Sequence, residues 1–195
     1  MGMQITNDFE VAQPIDKVWK FFDDIPGVAA CLPGTQLTDD LGNDEYAGKV
    51  GIRMGPVKLE FDGKAKIVER DDANKKITVD AAGADQKGRG NAAMLVTAGL
   101  VPTGRGTKVD VGMDLQLSGA AAQYGRGMVN DVTAVLMRDF ATNMQARIEA
   151  LDRGLDPAQI QGAAPASGFS VAFAALKMAL GRVAARFFRP YRPAQ

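Results

Sequence analysis

The side chains that most often carry enzyme chemistry are scarce in this sequence. Histidine is absent from all 195 residues, which excludes the usual general base at neutral pH, histidine-ligated zinc and every histidine-activated nucleophile. Cys31 is the single cysteine, and without a base beside it we expect a small buried residue rather than a nucleophile. Asp139 lies next to the apolar stripe of a predicted helix, where its carboxylate would either meet a buried polar group or be solvated. We therefore predict no catalytic residue, no metal site and no intrinsic cofactor.

A second group of residues with recognisable chemistry lies in GFSVAFAALKMALGRVAARFFRPYR, residues 168–192. Six apolar residues recur there at intervals of three or four, which places them on one helical stripe with arginines opposite. Residues 157–195 hold five basic and no acidic residues, so their charge of +5 balances −5 in residues 1–156. This predicts a basic amphipathic helix at 169–190 whose membrane-binding residues are Phe169, Phe173, Leu176, Lys177, Leu180, Arg182, Val183, Arg186, Phe187 and Arg189.

The charges of this predicted helix favour a position in the plane of the membrane surface. Inside a bilayer, Lys177, Arg182 and Arg186 would each cost about 2.5–3.5 kcal/mol, whereas each basic residue gains about 1 kcal/mol near an anionic leaflet. We therefore expect a cytoplasmic protein that attaches peripherally to the inner face of the cell membrane. The lone cysteine and the lack of a secretory apolar run agree with that location. The same stripe would also suit a partner protein, a second copy or the chain's own surface, and these alternatives stay open.

The elements before this helix follow from hydrophobic periodicity. Alternation with a period of two, clearest at 3–11 and 107–117, predicts six or seven antiparallel strands. The phase of the run at 91–101 is unclear because it is apolar on both faces. Helical spacing predicts one helix that Pro26 ends, a short second helix at 28–32, and a long helix from about Gly127 to Leu151.

The simplest architecture for these elements is an α+β domain in which a curved antiparallel sheet wraps around the long helix. Residues 1–151 form this domain, 152–168 a flexible linker rich in Ala, Gly and Pro, and 169–190 the separate tail helix. A sheet that grips one helix tends to leave a space, although the same residues would also suit a solid core. The predicted lining of that space is Phe22, Leu32, Tyr46, Val50, Met54, Leu59, Phe61, Met94, Val96, Met113, Leu115, Met128, Val132 and Leu136.

Short motifs in a fixed order connect this chain to a known family. Phe9-Glu-Val followed by Pro14-Ile-Asp-Lys-Val-Trp19 resembles the opening of the START-like, or helix-grip, superfamily. Over residues 3–150 the chain is further similar to the family of the G subunit of carbon monoxide dehydrogenase. The motifs that carry this resemblance are Trp19 with Asp24-Ile-Pro, Ala30-Cys-Leu-Pro-Gly34, Tyr46-Ala-Gly-Lys-Val, Gly55-Pro-Val-Lys, Phe61-Asp-Gly, and Gly83-Ala-Asp85 with Gly88-Arg-Gly90.

The resemblance implies a helix-grip fold with an interior hydrophobic cavity and no catalytic cofactor. Members are commonly encoded with molybdenum-containing dehydrogenases that oxidise carbon monoxide or related substrates, and they are thought to help such enzymes at the membrane. We therefore expect a non-enzymatic carrier of an isoprenoid quinone or another lipid, with dehydrogenase subunits as partners and no role for nucleic acid. An adaptor that recruits the dehydrogenase without a bound ligand is the alternative. A cyclase or hydratase would need an inward acid or base, which the strands do not offer.

Overall fold

Along the chain, one strand is followed by two short helices, six further strands and a long helix. The computed structural model describes residues 2–155, so the predicted tail helix and the predicted linker beyond Leu155 lie outside the described residues. The strands are β1 (Gly2–Val11), β2 (Thr35–Gly42), β3 (Glu45–Met54), β4 (Val57–Asp71), β5 (Lys76–Asp85), β6 (Asn91–Thr103) and β7 (Gly106–Leu117). The helices are α1 (Ile15–Phe21), α2 (Ile25–Cys31) and α3 (Arg126–Asp152), with a 3-10 helix at Gly119–Gln123.

All seven strands form one antiparallel sheet in the order β1-β7-β6-β5-β4-β3-β2. The first strand therefore pairs with the last, from Gly2 opposite Gln116 to Val11 opposite Thr107. Helices α1 and α2 carry the chain from one edge of the sheet to the other, where β2 begins. The predicted curved sheet around one long helix is confirmed.

The strand register places the alternating apolar residues on one concave face. Met3 lies opposite Leu115, and Val50 lies opposite Phe61. The pairing of β6 with β7 determines which face of β6 is concave. Met94 pairs with Leu115 and therefore lies on the concave face with it. A side-chain period of two extends this assignment to every second residue of each regular strand.

Glycines of neighbouring strands face each other on the concave side of the sheet. Gly63 of β4 lies opposite Gly83 of β5. A Cβ atom on Gly63 would lie 2.4 Å from the carbonyl oxygen of Ala82, so any side chain would force the two strands apart. Glycine in a strand interior commonly marks a bend or a close backbone approach. A β-bulge between Ile67 and Glu69 adds to the twist of β4.

Helix α2 begins where we expected the first helix to end. The Asp24 side chain accepts a hydrogen bond from the Gly27 N–H at 3.0 Å and caps α2, with Pro26 in its first turn. Proline suits a first turn because its missing N–H would have no partner there. The predicted role of Pro26 as the end of α1 is wrong, and α1 already ends at Phe21.

Helix α3 closes the concave face of the sheet. It buries Val129, Thr133, Phe140, Met144 and Ile148, a spacing that forms one inward stripe. Phe140 meets Phe9 of β1 edge-to-face, with ring centroids 5.7 Å apart. Three residues further along α3, Asn143 Nδ2 donates to the carbonyl oxygen of Cys31 in α2 at 3.0 Å. The long helix is therefore fixed between β1 and α2.

Candidate ligand-binding site

Buried apolar side chains form two clusters at opposite ends of the strands. The first cluster joins α1, α2 and the second half of α3 to one end of β1, β5, β6 and β7, and includes Trp19, Phe22 and Met144. The second cluster joins the start of α3 to the β3–β4 hairpin and the other end of β1 and β7, and includes Met54, Leu59 and Leu115. Each cluster is a solid piece of core.

Between the two clusters, the concave face of β3–β6 is only half-buried. Tyr46, Ala65, Ala81 and Met94 are cross-strand neighbours in one row, and all four remain partly accessible to solvent. In a solid core the middle of a concave face would be its most buried part. Solvent therefore reaches this part of the concave face, and we call the region in front of it the inner space.

Small side chains form the floor of the inner space. Gly48, Gly63 and Gly83 occupy neighbouring inward positions across β3, β4 and β5, and Ala65 and Ala81 lie next to them. A Cβ on Gly48, Gly63 or Gly83 would meet the backbone of the neighbouring strand, so these positions stay small. These residues were not among the predicted lining residues, and the signal that identifies them is small size at inward strand positions.

The predicted lining residues divide into four groups. Phe22 belongs to the first cluster, and Leu32 and Val96 pack against it. Met54, Leu59, Phe61 and Leu115 belong to the second cluster, and Met94 and Met113 pack against it. Tyr46, Val50, Val132 and Leu136 are half-buried and belong to neither cluster. Met128 is 40% exposed.

Met128 lies in the first turn of α3, next to the inward stripe of that helix. Val129 takes the inward position in the first turn of α3 and is 3% exposed. A helix turns 100° per residue, so Met128 points away from that stripe. Its Cε lies 4.0 Å from the place where a Cβ on Gly55 would be, which puts Met128 beside the β3–β4 turn. Its role in lining the inner space stays a prediction.

Two polar side chains accompany the apolar wall. Burial raises the pKa of the Tyr46 phenol, and the nearby carboxylates of Asp40 and Asp44 raise it further, so its hydroxyl stays protonated at neutral pH. Asp139 is half-buried and lies between Leu136 and Asn143 on the side of α3 that faces α2. Neither Tyr46 nor Asp139 forms a hydrogen bond with another described residue. Both side chains are thus available to a ligand.

Cys31 has the environment of a structural residue. Its side chain is 1% exposed, and burial raises the pKa of the thiol to about 11. A thiol at neutral pH is then almost entirely protonated and is a poor nucleophile. The prediction of a small buried residue is confirmed.

The Gly83-Ala-Asp85 and Gly88-Arg-Gly90 motifs serve the β5–β6 hairpin. The buried Asp85 carboxylate accepts hydrogen bonds from the Arg89 guanidinium and from the backbone N–H groups of Glu60, Lys87 and Arg89. Arg89 Nη2 also donates to the Lys58 carbonyl oxygen at 2.9 Å. The pair therefore ties the hairpin to β4, and its role is structural.

Trp19 fixes α1 to the β4–β5 turn. Its Nε1 donates to Asp72 Oδ1 at 2.7 Å, and the Arg70 guanidinium lies 4.6 Å from the ring centroid, a distance typical of a cation–π contact. Arg70 in turn pairs with Asp23 at 2.6 Å. These contacts hold α1 against the end of β4.

Residues 2–155 contain neither a membrane-crossing helix nor a metal centre. No helix in that range has the length and apolar character that a bilayer crossing requires. The same residues bring together no group of three or more carboxylate or thiol side chains that would hold a metal ion.

Comparison with known proteins supplies a family and a fold. A family model that describes the carbon monoxide dehydrogenase G subunit (CoxG) matches residues 8–149. No curated protein matches the chain. A conserved protein from Geobacillus kaustophilus has a similar structure, with a TM-score of 0.67, 20% identity, and coverage of 75% of this chain and 95% of that one. The ZhuI aromatase/cyclase from Streptomyces sp. R1128 follows, with a TM-score of 0.55, 14% identity, and coverage of 77% and 95%. At these identities the two structures show a shared fold alone.

Proposed function

The chain belongs to the CoxG family, that of the carbon monoxide dehydrogenase G subunit, and from this premise we propose that it is a non-catalytic carrier of an apolar molecule. The observation that carries the proposal is the half-buried row of inward residues from Tyr46 to Met94. A binding protein needs a concave, mostly apolar space with few polar groups, and the inner space has that composition.

The proposed ligand is an isoprenoid quinone or another lipid. Met94 and Met113 flank the space, and methionine adapts to irregular apolar shapes. The Tyr46 hydroxyl would donate a hydrogen bond to a carbonyl oxygen, while the Asp139 carboxylate would accept one from a hydroxyl group. Such a lining suits a long apolar chain with one polar end.

The proposed partner is a molybdenum-containing carbon monoxide dehydrogenase or a related oxidoreductase. In the carrier scheme, two electrons from the enzyme and two protons from water convert the bound quinone to a quinol, and the carrier returns the quinol to the membrane. The proposed membrane contact is the basic segment 169–190, and its support comes from the sequence. Because the protein only delivers the ligand, it needs no acid, base or redox group of its own.

Extraction of the bound ligand tests the carrier function. The full chain is purified from cells without detergent, its lipids are extracted, and they are identified by mass spectrometry. We expect about one apolar molecule per chain. A protein that is repeatedly empty, and that takes up neither quinone nor lipid from vesicles, would contradict the carrier function and favour the adaptor instead.

A further inference from the structure

A second concavity lies on the opposite side of α3, between that helix and β1. It has a volume of about 560 Å³. Residues 7–10 of β1 form one wall, and Ala134, Met137, Arg138 and Ala141 of α3 form the other. Asn143, whose side chain donates a hydrogen bond to Cys31 of α2, lies on a different side of the helix. We call this concavity the β1–α3 groove.

The strand wall of this groove is the free edge of the sheet. β1 is the terminal strand and pairs with β7 alone among residues 2–155. A terminal strand presents a row of backbone N–H and C=O groups without strand partners. At the far end of the groove, the Ala12 N–H donates to Gln145 Oε1 of α3 at 2.7 Å. Helix α3 therefore closes the groove at Ala12 and leaves the edge accessible towards Asn7.

The walls of the groove define which side chains would fit. The inner side offers Phe9, Met137 and the small residues Ala134 and Ala141, which leave room for short apolar groups. The outer lip carries Asp8 and Glu10. Asp8 lies 3.9 Å from Lys108 of β7, whereas Glu10 forms no salt bridge with a described residue. Opposite charges on neighbouring strands stabilise pairing, so basic side chains suit this lip.

We propose that the β1–α3 groove binds an extended segment of a partner protein, which pairs with β1 as an additional strand. Because side chains alternate along a strand, one set would enter the groove and the other would lie along the lip with Asp8 and Glu10. The segment would therefore alternate short apolar with basic residues. A small molecule would fill the volume but would not match a row of backbone donors and acceptors, whereas strand addition does. This interaction is independent of the ligand in the inner space.

A synthetic peptide tests strand addition directly. The probe is fluorescein-labelled Ac-VKVKVKVK-amide, and its binding to the full chain is followed by fluorescence anisotropy. The matched control is the same peptide with N-methyl groups on alternate backbone amides, which keeps the charge but removes the hydrogen bonds of a strand. We expect the control to bind at least about tenfold more weakly. Equal binding of both peptides, or no binding of either, would overturn the proposal.

Paired variants of the protein test whether the peptide binds in the β1–α3 groove. Ala134→Trp fills the groove and should weaken binding about tenfold, whereas Val135→Trp, on the exposed neighbouring position, should not. Glu10→Lys should weaken binding, whereas Asp114→Lys, an equal charge change on the outer face of β7, should leave it unchanged. Equal losses within either pair would place the peptide elsewhere and refute the proposed site. Should Ala134→Trp not fold, the N-methyl comparison on the unchanged protein still decides.

Discussion

Arg89 donates two parallel hydrogen bonds to Asp85, from Nε to Oδ2 at 2.8 Å and from Nη2 to Oδ1 at 2.7 Å. The Asp85 side chain is 1% exposed, so the pair depends on its own hydrogen bonds rather than on solvent. The Gly83-Ala-Asp85 and Gly88-Arg-Gly90 motifs therefore stabilise the β5–β6 hairpin. The consequences concern stability and its response to pH.

Acid should destabilise the protein through Asp85. The Arg89 hydrogen bonds hold the pKa of the Asp85 carboxyl well below its usual range. A carboxyl with a lower pKa in the folded state contributes stability that is fully present above its unfolded pKa, about 3.9, and that is lost as pH falls below it. Urea unfolding at pH 7 and pH 3 should show this loss. Asp85→Asn should lower stability at pH 7 by several degrees in melting temperature and should flatten the pH dependence.

A control for the acid effect is available on the outer face of the sheet. Asp114 is exposed, and Asp114→Asn should leave the melting temperature at pH 7 nearly unchanged. If both variants retain the same acid sensitivity as the original chain, Asp85 is not the group responsible.

Filling the inner space should remove the ligand without damaging the fold. Ala81→Phe places a large side chain on the half-buried row of the concave face. We expect ligand content and quinone uptake to fall at least about tenfold, with little change in melting temperature. Ala82→Phe, one residue later and on the opposite face, should retain the ligand. If Ala81→Phe strongly destabilises the protein, the region is already filled.

Truncations should distinguish core residues from lining residues. Leu59 is 2% exposed within the second cluster, so Leu59→Ala should cost about 2–5 kcal/mol. Val132 is half-buried beside the inner space. Val132→Ala should cost roughly 1 kcal/mol of unfolding free energy, because Val132 buries less apolar area than Leu59 does. Urea unfolding of the ligand-free proteins measures both values. Similar costs at the two positions would contradict an unfilled space at Val132.

The Tyr46 hydroxyl should contribute to ligand affinity. One hydrogen bond contributes about 0.5–1.5 kcal/mol, so Tyr46→Phe should weaken quinone binding by roughly two- to tenfold. Tyr124→Phe changes the same group beside the second cluster and should have no effect. Titration of both variants with a short-chain quinone compares them, and unchanged affinity in Tyr46→Phe would exclude the proposed contact.

The basic segment should determine membrane attachment. Deletion of residues 169–195 should abolish co-sedimentation with anionic vesicles, while the remaining chain keeps its ligand. Raising the salt concentration should weaken attachment of the full chain, because the lysine and arginines act through screened charges. Attachment that survives the deletion would transfer the membrane contact to another part of the chain.

Periodicity predicted the strands because the side-chain period of two leaves few choices of face. It worked for Met3 to Val11 and for Val109 to Leu117, where polar residues alternate with apolar ones. It left β6 open because both of its faces are apolar, and only pairing with β7 settled Met94. Proline chemistry misled the interpretation of Pro26, since the same residue is compatible with the end of one helix and the first turn of the next.

The inner space could be expected from the sequence, but its position could not be assigned. Whether Leu59 lines a gap or packs against a neighbour depends on how far the sheet curves from α3, and that distance follows from close approaches such as Gly63 to Gly83. The alternation pattern contains no information on such distances. It therefore predicted the concave face for Leu59 and Phe61, and the structure places both residues in the second cluster.

The pairing of β1 with β7 has a consequence for biosynthesis. Phe9 reaches its neighbour Val109 only after the ribosome has added about a hundred further residues, which takes roughly 5–20 s at 5–20 residues per second. During that interval the first strand of the nascent chain has no partner in the sheet, and loop closure over such a separation is slow. Strand β1 is therefore the strand of the sheet that waits longest for its partner, and it is exposed to misassembly until β7 has been synthesised.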